Sequence, residues 1–204
     1  FIKIEMPLIK VLAKMEREGI NLDVKMLQVY SKQLSKELIE KQNNIYDLAG
    51  LEFNISSPKQ LGEVLFDKLN LIDKPKKTKS GQYSTSEDTL EKLKANHGII
   101  SEILEFREIK KLLSTYIDAL PMLVNDLTQR IHTTFNQSVA STGRLSSVNP
   151  NLQNIPIRTK RGMRIREAFI SKNEQFSLLA ADYSQIELRI MASLSHDPSL
   201  LDAF

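Results

Sequence analysis

The sequence contains no cysteine among its 204 residues, so neither a disulfide nor a thiolate metal site can form. This absence is compatible with a reducing environment, and we expect the protein to be cytoplasmic. No apolar run approaches the roughly 20 residues that a helix needs to cross a bilayer, so we expect no membrane partner. The chain begins at Phe1 without a methionine or a recognisable signal peptide. We therefore expect it to be an excised piece, and targeting cannot be predicted from this end.

The sequence also lacks internal repeats and any strong charge imbalance. Its formal net charge of +3 permits a nucleic-acid partner without requiring one, and at 41% hydrophobic it has an ordinary globular composition. The distribution of the charge is more informative, because the basic residues concentrate in two places. These are Lys74, Lys76, Lys77 and Lys79 in one loop, and Arg158, Lys160, Arg161, Arg164 and Arg166 in a later segment.

The first 125 residues show helical periodicity with clear start and stop signals. The pattern predicts a helix that starts at Pro7 and ends just before Gly19, and a longer one that Asp23 caps and Gly50 ends. Further helices are predicted after the Ser57-Pro58 start signal, after Ser84, and over residues 99–120. The heptad rhythm of the longer helix is too short and interrupted for an intermolecular coiled coil. We therefore expect an antiparallel helical hairpin that packs within its own domain.

After about residue 125 the pattern changes. Ile131, Thr133 and Phe135 alternate with other residues, as in a half-buried strand. A long irregular segment follows through Pro156, and residues 166–170 and 176–181 are further strand candidates. The fold class predicted from these patterns is α+β and mostly helical.

Residues 178–191, reading LLAADYSQIELRIM, combine three signals. A short apolar strand stops at Asp182, the pair Ser184 and Glu187 has capping-box spacing, and helical periodicity follows. A carboxylate at a strand end can hold a cation at the edge of a rigid scaffold. Taken alone, however, such an aspartate is usually a turn residue, and this pattern leaves both interpretations open.

The DYSQIELR block at residues 182–189 is preceded by TGRLSSVNPNLQNIP at 142–156. Further upstream stand FNISSPKQLGEVLF, STSEDTLEKL and LLSTYIDALP, at residues 53–66, 84–93 and 112–121. These five blocks, in this order, resemble family A DNA polymerases of the bacterial DNA polymerase I type.

The resemblance implies a division of the chain and an activity. Residues 1–24 would form a palm-base helix and link, 25–125 a helical thumb, and 126–204 the first part of a palm with an antiparallel sheet. The implied reaction adds deoxynucleotides to a primer 3′ end in DNA replication and repair. The second catalytic carboxylate of the family belongs to a later His-Asp-Glu motif that this chain does not contain. We therefore expect the chain alone to be an inactive monomer, with primer–template DNA and deoxynucleoside triphosphates as partners.

The resemblance also assigns roles around Asp182. It implies that Asp182 and the Tyr183 carbonyl bind two Mg²⁺ ions, which suits the preference of Mg²⁺ for oxygen ligands. Ser184, Gln185 and Ile186 would lie along the incoming nucleotide, and Glu187 would exclude a ribose 2′-OH. A capping box explains Ser184 and Glu187 equally well without any ligand.

A second implied set faces DNA. Arg144 would contact the primer terminus, while Asn151, Gln153 and Asn154 would hold the duplex. Amide side chains can meet the minor-groove acceptors that every base pair offers. Spacing alone favours a different role for the amides, in which they tie the loop together.

Two basic segments complete the predicted DNA surface. Arg158 and the cations after it can bind phosphates or form a solvated face. The segment 74–85 resembles the thumb tip that grips the duplex, which makes Lys77, Lys79, Ser84 and Thr85 candidate contacts.

Two other functions remain open at this point. The chain could come from a non-catalytic homologue that only binds primer–template DNA. It could also be a helical protein-interaction module that uses its heptad helix.

Overall fold

The computed structural model describes all 204 residues, which divide into two compact units, Phe1–Ile170 and Ser171–Phe204. The first unit contains six α-helices and four short strands, and the second contains two helices. The domain boundaries predicted after residues 24 and 125 both lie inside the first unit. The predicted α+β class is confirmed, since most of the regular structure is helical and both sheets are small.

The elements of the first unit follow in chain order. They are α1 (Glu5–Glu18), β1 (Asn21–Leu22), α2 (Val24–Ala49), α3 (Pro58–Gly62), α4 (Glu87–Glu91), α5 (Gly98–Leu112), β2 (Thr134–Asn136), β3 (Ser146–Val148), α6 (Lys160–Arg166) and β4 (Phe169–Ile170). Helices α3 and α5 each continue into a wider π-helical turn, Glu63–Lys68 and Leu113–Ile117 respectively, and single 3₁₀ turns stand at Leu120–Leu123 and Leu152–Asn154.

Local capping signals place the ends of α2 and α3 where the sequence predicts them. The Asp23 carboxylate accepts a hydrogen bond from the Met26 amide at 2.8 Å, which starts α2. Gly50 ends the same helix in the left-handed conformation. Ser57 caps α3 through its hydroxyl, with Pro58 as the first helical residue.

The long helices α2 and α5 carry two hydrophobic cores between them. The first core contains Leu27 and Leu34 near the start of α2 and Ile109 near the end of α5. The second contains Ile45 near the end of α2 and Ile100 near the start of α5. The two helices therefore run antiparallel along each other. The long helix packs within its own unit as predicted, but its partner is α5 and not the preceding helix α1, so the predicted hairpin of consecutive helices is not what forms.

The strands form two antiparallel pairs. Strand β1 pairs with β4, and β2 pairs with β3. An isolated bridge joins Ile20 to Ile131. The predicted alternation holds in this region, because Ile131 and Thr133 are buried while their neighbours His132 and Thr134 are more exposed.

Two predictions in the first unit are wrong in detail. Pro121 lies inside a 3₁₀ turn instead of ending the α5 helix directly. Residues 160–166 are helical, so the strand predicted from residue 166 is reduced to Phe169–Ile170. The cause is local, because the Thr159 side chain accepts a hydrogen bond from the Gly162 amide and starts α6.

The second unit consists of an irregular segment followed by α7 (Ile186–Ser195) and α8 (Pro198–Ala203). The strand predicted at residues 176–181 is wrong, because the segment pairs with no other strand and a strand needs a partner for its backbone groups. The predicted capping box is also wrong. Gln185 occupies the N-cap position of α7 in a left-handed conformation and makes no side-chain capping bond.

No helix in the structure combines the length and apolar character needed to cross a bilayer.

Gly19 ends α1 at a point of close approach between α1 and the Ile131 segment. Its φ is +63°, and a Cβ there would stand 2.6 Å from the Ile131 carbonyl oxygen and 2.8 Å from the His132 ring. Gly81 also has a positive φ, +82°, but nothing lies within 4 Å of its Cβ position. Substitutions at these two glycines therefore distinguish the cost of backbone strain, which both share, from the cost of steric overlap, which arises only at Gly19.

We predict that Gly19→Ala destabilises the fold more than Gly81→Ala does. Both variants carry left-handed strain of about 1–3 kcal/mol, and overlap at Gly19 adds at least about 1 kcal/mol. The measurement is the free energy of unfolding in urea. Equal losses in the two variants would contradict the close approach at Gly19.

Candidate nucleic-acid and nucleotide sites

The motif loop, residues 142–159, is held partly by its own side chains and partly by the pairing of β3 with β2. The Gln153 side chain accepts a hydrogen bond from the Ser147 amide at 3.1 Å and donates one to the Leu145 carbonyl at 3.0 Å. The Asn151 side chain accepts from the Gln153 amide at 3.0 Å. Both ends of the Gln153 amide are therefore engaged within the loop, which is the tying role that spacing alone favours.

The same loop is fastened to the helical part of the first unit at Asn154. The Tyr116 hydroxyl donates a hydrogen bond to the Asn154 carbonyl oxygen at 2.6 Å, while the Asn154 side chain stays exposed. Arg144 and Arg158 are exposed as well. The loop therefore presents two guanidinium groups and one amide on a backbone that hydrogen bonds inside and outside the loop hold in place.

The basic run that begins at Arg158 divides into two sets. Arg158, Lys160 and Arg166 are exposed. Arg161 and Arg164 are instead used inside the unit. The Arg164 guanidinium stacks 4.5 Å from the centre of the Tyr30 ring, and Arg161 contacts carboxylates. The surface charge of the segment is therefore smaller than its composition suggests.

A second basic feature, the basic hairpin, comprises residues 74–84. The Thr78 amide donates to the Gln82 carbonyl at 2.7 Å, and the Ser84 amide donates to the Lys76 carbonyl at 2.8 Å. Lys77 lies 5.2 Å from the centre of the Tyr83 ring. Lys77 and Lys79 are both exposed, so the hairpin displays its charges at a turn with a defined backbone.

Thr85 differs from the other candidates in this segment because it is only 6% exposed. Arg107 on α5 donates to the Thr85 carbonyl at 2.5 Å and to its hydroxyl at 3.3 Å. Burial lowers the pKa of Arg107, and the charge of Glu87 opposes this shift. The pair anchors the basic hairpin to α5. Sequence reasoning missed Arg107, because its contact with Thr85 joins residues 22 positions apart.

A groove of about 680 Å³ lies between α4, α5 and the motif loop. It brings Asn154 into the same cleft as Lys94 and Lys111, and the cleft is also lined by Glu87, Glu91, Glu105 and Glu108. Lys111 is exposed, and Lys94 pairs with Glu91 at 3.5 Å. Only the tertiary fold makes these residues neighbours, because they are far apart in sequence.

In the second unit, the residues from Asp182 to Glu187 are all exposed. The Asp182 carboxylate makes no hydrogen bond or ion pair, and Tyr183 is 80% exposed. Arg189 on α7 donates to the Ser184 carbonyl at 2.9 Å, which fixes the turn before the helix. Ser184, Gln185, Ile186 and Glu187 follow one another through that turn and into the first turn of α7.

The chemistry of this segment suits Mg²⁺ only in part. A carboxylate and a carbonyl are the oxygen ligands that Mg²⁺ prefers. However, no group of three or more acidic, histidine or cysteine residues converges anywhere in the 204 residues. Asp182 and Tyr183 can therefore contribute to a coordination shell but cannot complete one.

The ion pairs around Arg161 make the stability contributed by Glu105, an acid on α5, depend on pH. Burial opposes ionisation of Glu105, but hydrogen bonds from Lys41 and Arg161 outweigh it and lower the pKa of Glu105 below its ordinary value of 4.5. A carboxylate with a lowered pKa in the folded state stabilises the fold above its unfolded pKa. This stability is lost as the pH falls through the folded value.

We predict that the wild-type chain loses stability below about pH 4.5 more steeply than Glu105→Gln does. The measurement is urea unfolding at a series of pH values between 7 and 3. Glu40→Gln, an exposed site on α2 outside the ion pairs, is the matched control and should follow the wild type. Parallel curves for the wild type and Glu105→Gln would show that Glu105 has no such linkage.

Comparison with known proteins gives the chain close relatives. The DNA polymerase I of Synechocystis sp. is 58% identical over 203 residues, which are 99% of this chain and 20% of that protein. The DNA polymerase I of Geobacillus stearothermophilus is 52% identical over 202 residues, which are 99% of this chain and 23% of that protein. The chain thus spans about a fifth to a quarter of the length of these curated relatives.

A solved structure agrees with them. The POL domain of Pol1 from M. smegmatis, in complex with DNA primer-template and dNTP, is similar with a TM-score of 0.87 and 46% identity. The match covers 98% of this chain and 35% of that one. The sequence model of DNA polymerase family A matches residues 24–204. Since this match takes in both compact units, the chain belongs to DNA polymerase family A.

Proposed function

We propose that this chain is the part of a template-directed DNA polymerase that grips primer–template DNA and supplies the first catalytic carboxylate. The observation that carries the proposal is its likeness, at 46% identity over nearly the whole chain, to a polymerase domain solved with DNA primer-template and dNTP. Residues 25–125 would act as the thumb. Residues 1–24 and 126–204 would act as parts of the palm.

The DNA grip would come from exposed cations on the basic hairpin and on the motif loop. Lys77 and Lys79 on the basic hairpin are placed to meet backbone phosphates, with Ser84 beside them. Such contacts give affinity that depends on salt but not on base sequence. Arg144 and Arg158 on the motif loop would contact the primer side of the duplex.

The amide residues of the motif loop would act differently from the cations. Asn154 has an exposed side chain and can meet minor-groove acceptors directly. Asn151 and Gln153 would support the loop from within, as their hydrogen bonds indicate, and Thr85 would anchor the basic hairpin.

The nucleotide end of the proposed site is the turn from Asp182 to Glu187. Asp182 and the Tyr183 carbonyl would hold Mg²⁺, which when bound neutralises the charge that develops during phosphoryl transfer. Ser184, Gln185 and Ile186 would lie along the triphosphate, where the start of a helix favours anions. Glu187 would face the sugar and exclude a ribose 2′-OH.

The proposed reaction joins the primer 3′ oxygen to the α-phosphorus of a deoxynucleoside triphosphate while the bond to pyrophosphate breaks. The residues of this chain would position the reactants, and a further carboxylate from outside it would complete the metal shell. We therefore propose that the chain alone is an inactive, monomeric, cytoplasmic component of DNA replication and repair.

One prediction of the proposed function concerns DNA binding by the chain itself. Each phosphate contact contributes about 0.9 to the slope of log K against log salt, so Lys77→Gln or Lys79→Gln should lower that slope by about 0.9. Fluorescence anisotropy with a labelled primer–template measures it. Lys14→Gln on α1, an exposed lysine outside the proposed surface, is the matched control. A chain with no affinity at low salt would instead favour a protein-interaction module.

Another prediction of the proposed function concerns catalysis in a complete enzyme. The chain can replace the matching 202 residues of the G. stearothermophilus relative, with which it is 52% identical. In that chimera, Asp182→Asn should reduce the rate of primer extension by roughly 100-fold or more, because one charged metal ligand is lost. Asp202→Asn, an exposed acid on α8, should leave the rate unchanged.

The chimera also separates this proposal from a non-catalytic homologue. A chimera that binds primer–template but does not extend it, with Asp182 intact, would contradict the catalytic role. The ratio of deoxynucleotide to ribonucleotide incorporation by a Glu187→Ala chimera reports whether Glu187 selects the sugar.

A further inference from the structure

Arg161, the second residue of α6, is surrounded by carboxylates from two other helices. Its guanidinium donates to Glu108 at 2.9 Å and to Glu105 at 3.1 Å, both on α5. It also forms a close hydrogen-bonded ion pair with Glu37 on α2. One side chain therefore connects α6 to both members of the antiparallel helix pair.

The charge balance of this cluster depends on Arg161. Lys41 pairs with Glu102 at 3.0 Å and with Glu105 at 3.1 Å, so Arg161 and Lys41 together face four carboxylates. The second oxygen of Glu108 is buried and has no hydrogen-bond partner. Without the Arg161 guanidinium, like charges on α2 and α5 would face each other near the start of α6.

Helix α6 keeps other contacts that do not need the Arg161 side chain. The Tyr30 hydroxyl donates to the Arg161 backbone carbonyl at 3.0 Å. Arg164 stacks on Tyr30 and donates to Gln33 at 3.0 Å, and Ile165 is fully buried. Changing the Arg161 side chain should therefore loosen the placement of α6 without unfolding it.

The motif loop rests directly on α6. A Cβ at Gly162 would stand 2.5 Å from the Pro156 Cβ, so the loop packs against the helix backbone. Thr159 joins the two through its hydroxyl, which accepts from the Gly162 amide at 3.1 Å. Any displacement of α6 would therefore be transmitted through Pro156 to Asn154, whose uncharged side chain adds nothing to the salt dependence of binding.

We propose that Arg161 is a positioning residue that holds α6, and through it the motif loop, in the place that DNA binding requires. This inference rests on the proposed function and adds to it a residue that does not touch DNA. Arg161 is only about a quarter exposed, and its two terminal nitrogens make three hydrogen bonds to carboxylates. It thus differs from Arg158, which is exposed three residues earlier.

A positioning residue and a phosphate contact give different results in a salt titration. Loss of a contact lowers the slope of log K against log salt by about 0.9, whereas loss of positioning weakens binding at a similar slope. Arg161→Gln should therefore weaken primer–template binding about 3- to 10-fold with the wild-type slope. Lys77→Gln is the reference for a lost contact.

Net charge is controlled with a double variant. Arg161→Gln combined with Glu40→Gln, at an exposed acid of α2 outside the cluster, removes one charge of each sign and leaves the net charge of the chain unchanged. Positioning predicts that the double variant still binds weakly, because the link between α6 and the helix pair stays broken. Recovery of wild-type affinity would show that general electrostatics explains the loss, and would overturn the proposal.

Amide hydrogen exchange tests the positioning itself, independently of DNA. Arg161→Gln should speed exchange of the Leu152, Gly162 and Met163 amides roughly tenfold, while the Ile20 and Ile131 amides keep their wild-type rates. Unchanged exchange at all five would overturn the proposal. If the wild-type chain does not bind primer–template, the proposed function fails for this chain, and the exchange rates alone then decide the role of Arg161.

Discussion

The packing of α2 against α5 is the interaction on which the rest of the first unit depends. Both hydrophobic cores lie along this pair, with Leu27 and Ile109 in one and Ile45 and Ile100 in the other. Apolar burial of this kind is the main favourable term in folding. The polar attachments use the same helices, since Arg107, Tyr116 and the acids around Arg161 all belong to α2, α5 or the π-helical turn that continues α5. The basic hairpin and the motif loop are therefore fixed to one rigid support.

The parts of the fold that local chemistry determines could be predicted from sequence. Asp23 and Ser57 cap their helices as expected, because an N-cap bond joins residues only three apart. The five motif blocks indicated the family for a similar reason, because each block is a continuous stretch of sequence that can be recognised without knowing the fold. The prediction of a strand at 176–181 was wrong because the sequence shows an apolar run but does not show whether another strand pairs with it. Gln185 shows a similar limit, since its left-handed conformation replaces the capping box that Ser184 and Glu187 suggested.

The tertiary contacts of the candidate site could not be predicted. Arg161 and Arg158 look alike in sequence, yet one is enclosed by carboxylates from residues more than 50 positions away and the other is exposed. Thr85 looks like its neighbour Ser84, but a guanidinium from α5 reaches it inside the unit. In each case the side chain has two possible uses, and the fold decides between them by what lies within hydrogen-bond distance. Counting charges in a segment therefore overestimates the charge that it can offer to a polyanion.

The contact between Gly162 and Pro156 limits which sequences this part of the chain can accept. Position 162 has no space for even one methyl group unless the proline moves, whereas Lys160 and Met163, on either side along the helix, have exposed side chains. Tolerance to substitution should therefore change abruptly within a single turn. A mutant library built to improve the protein would sample Lys160 and Met163 freely and would leave Gly162 untouched.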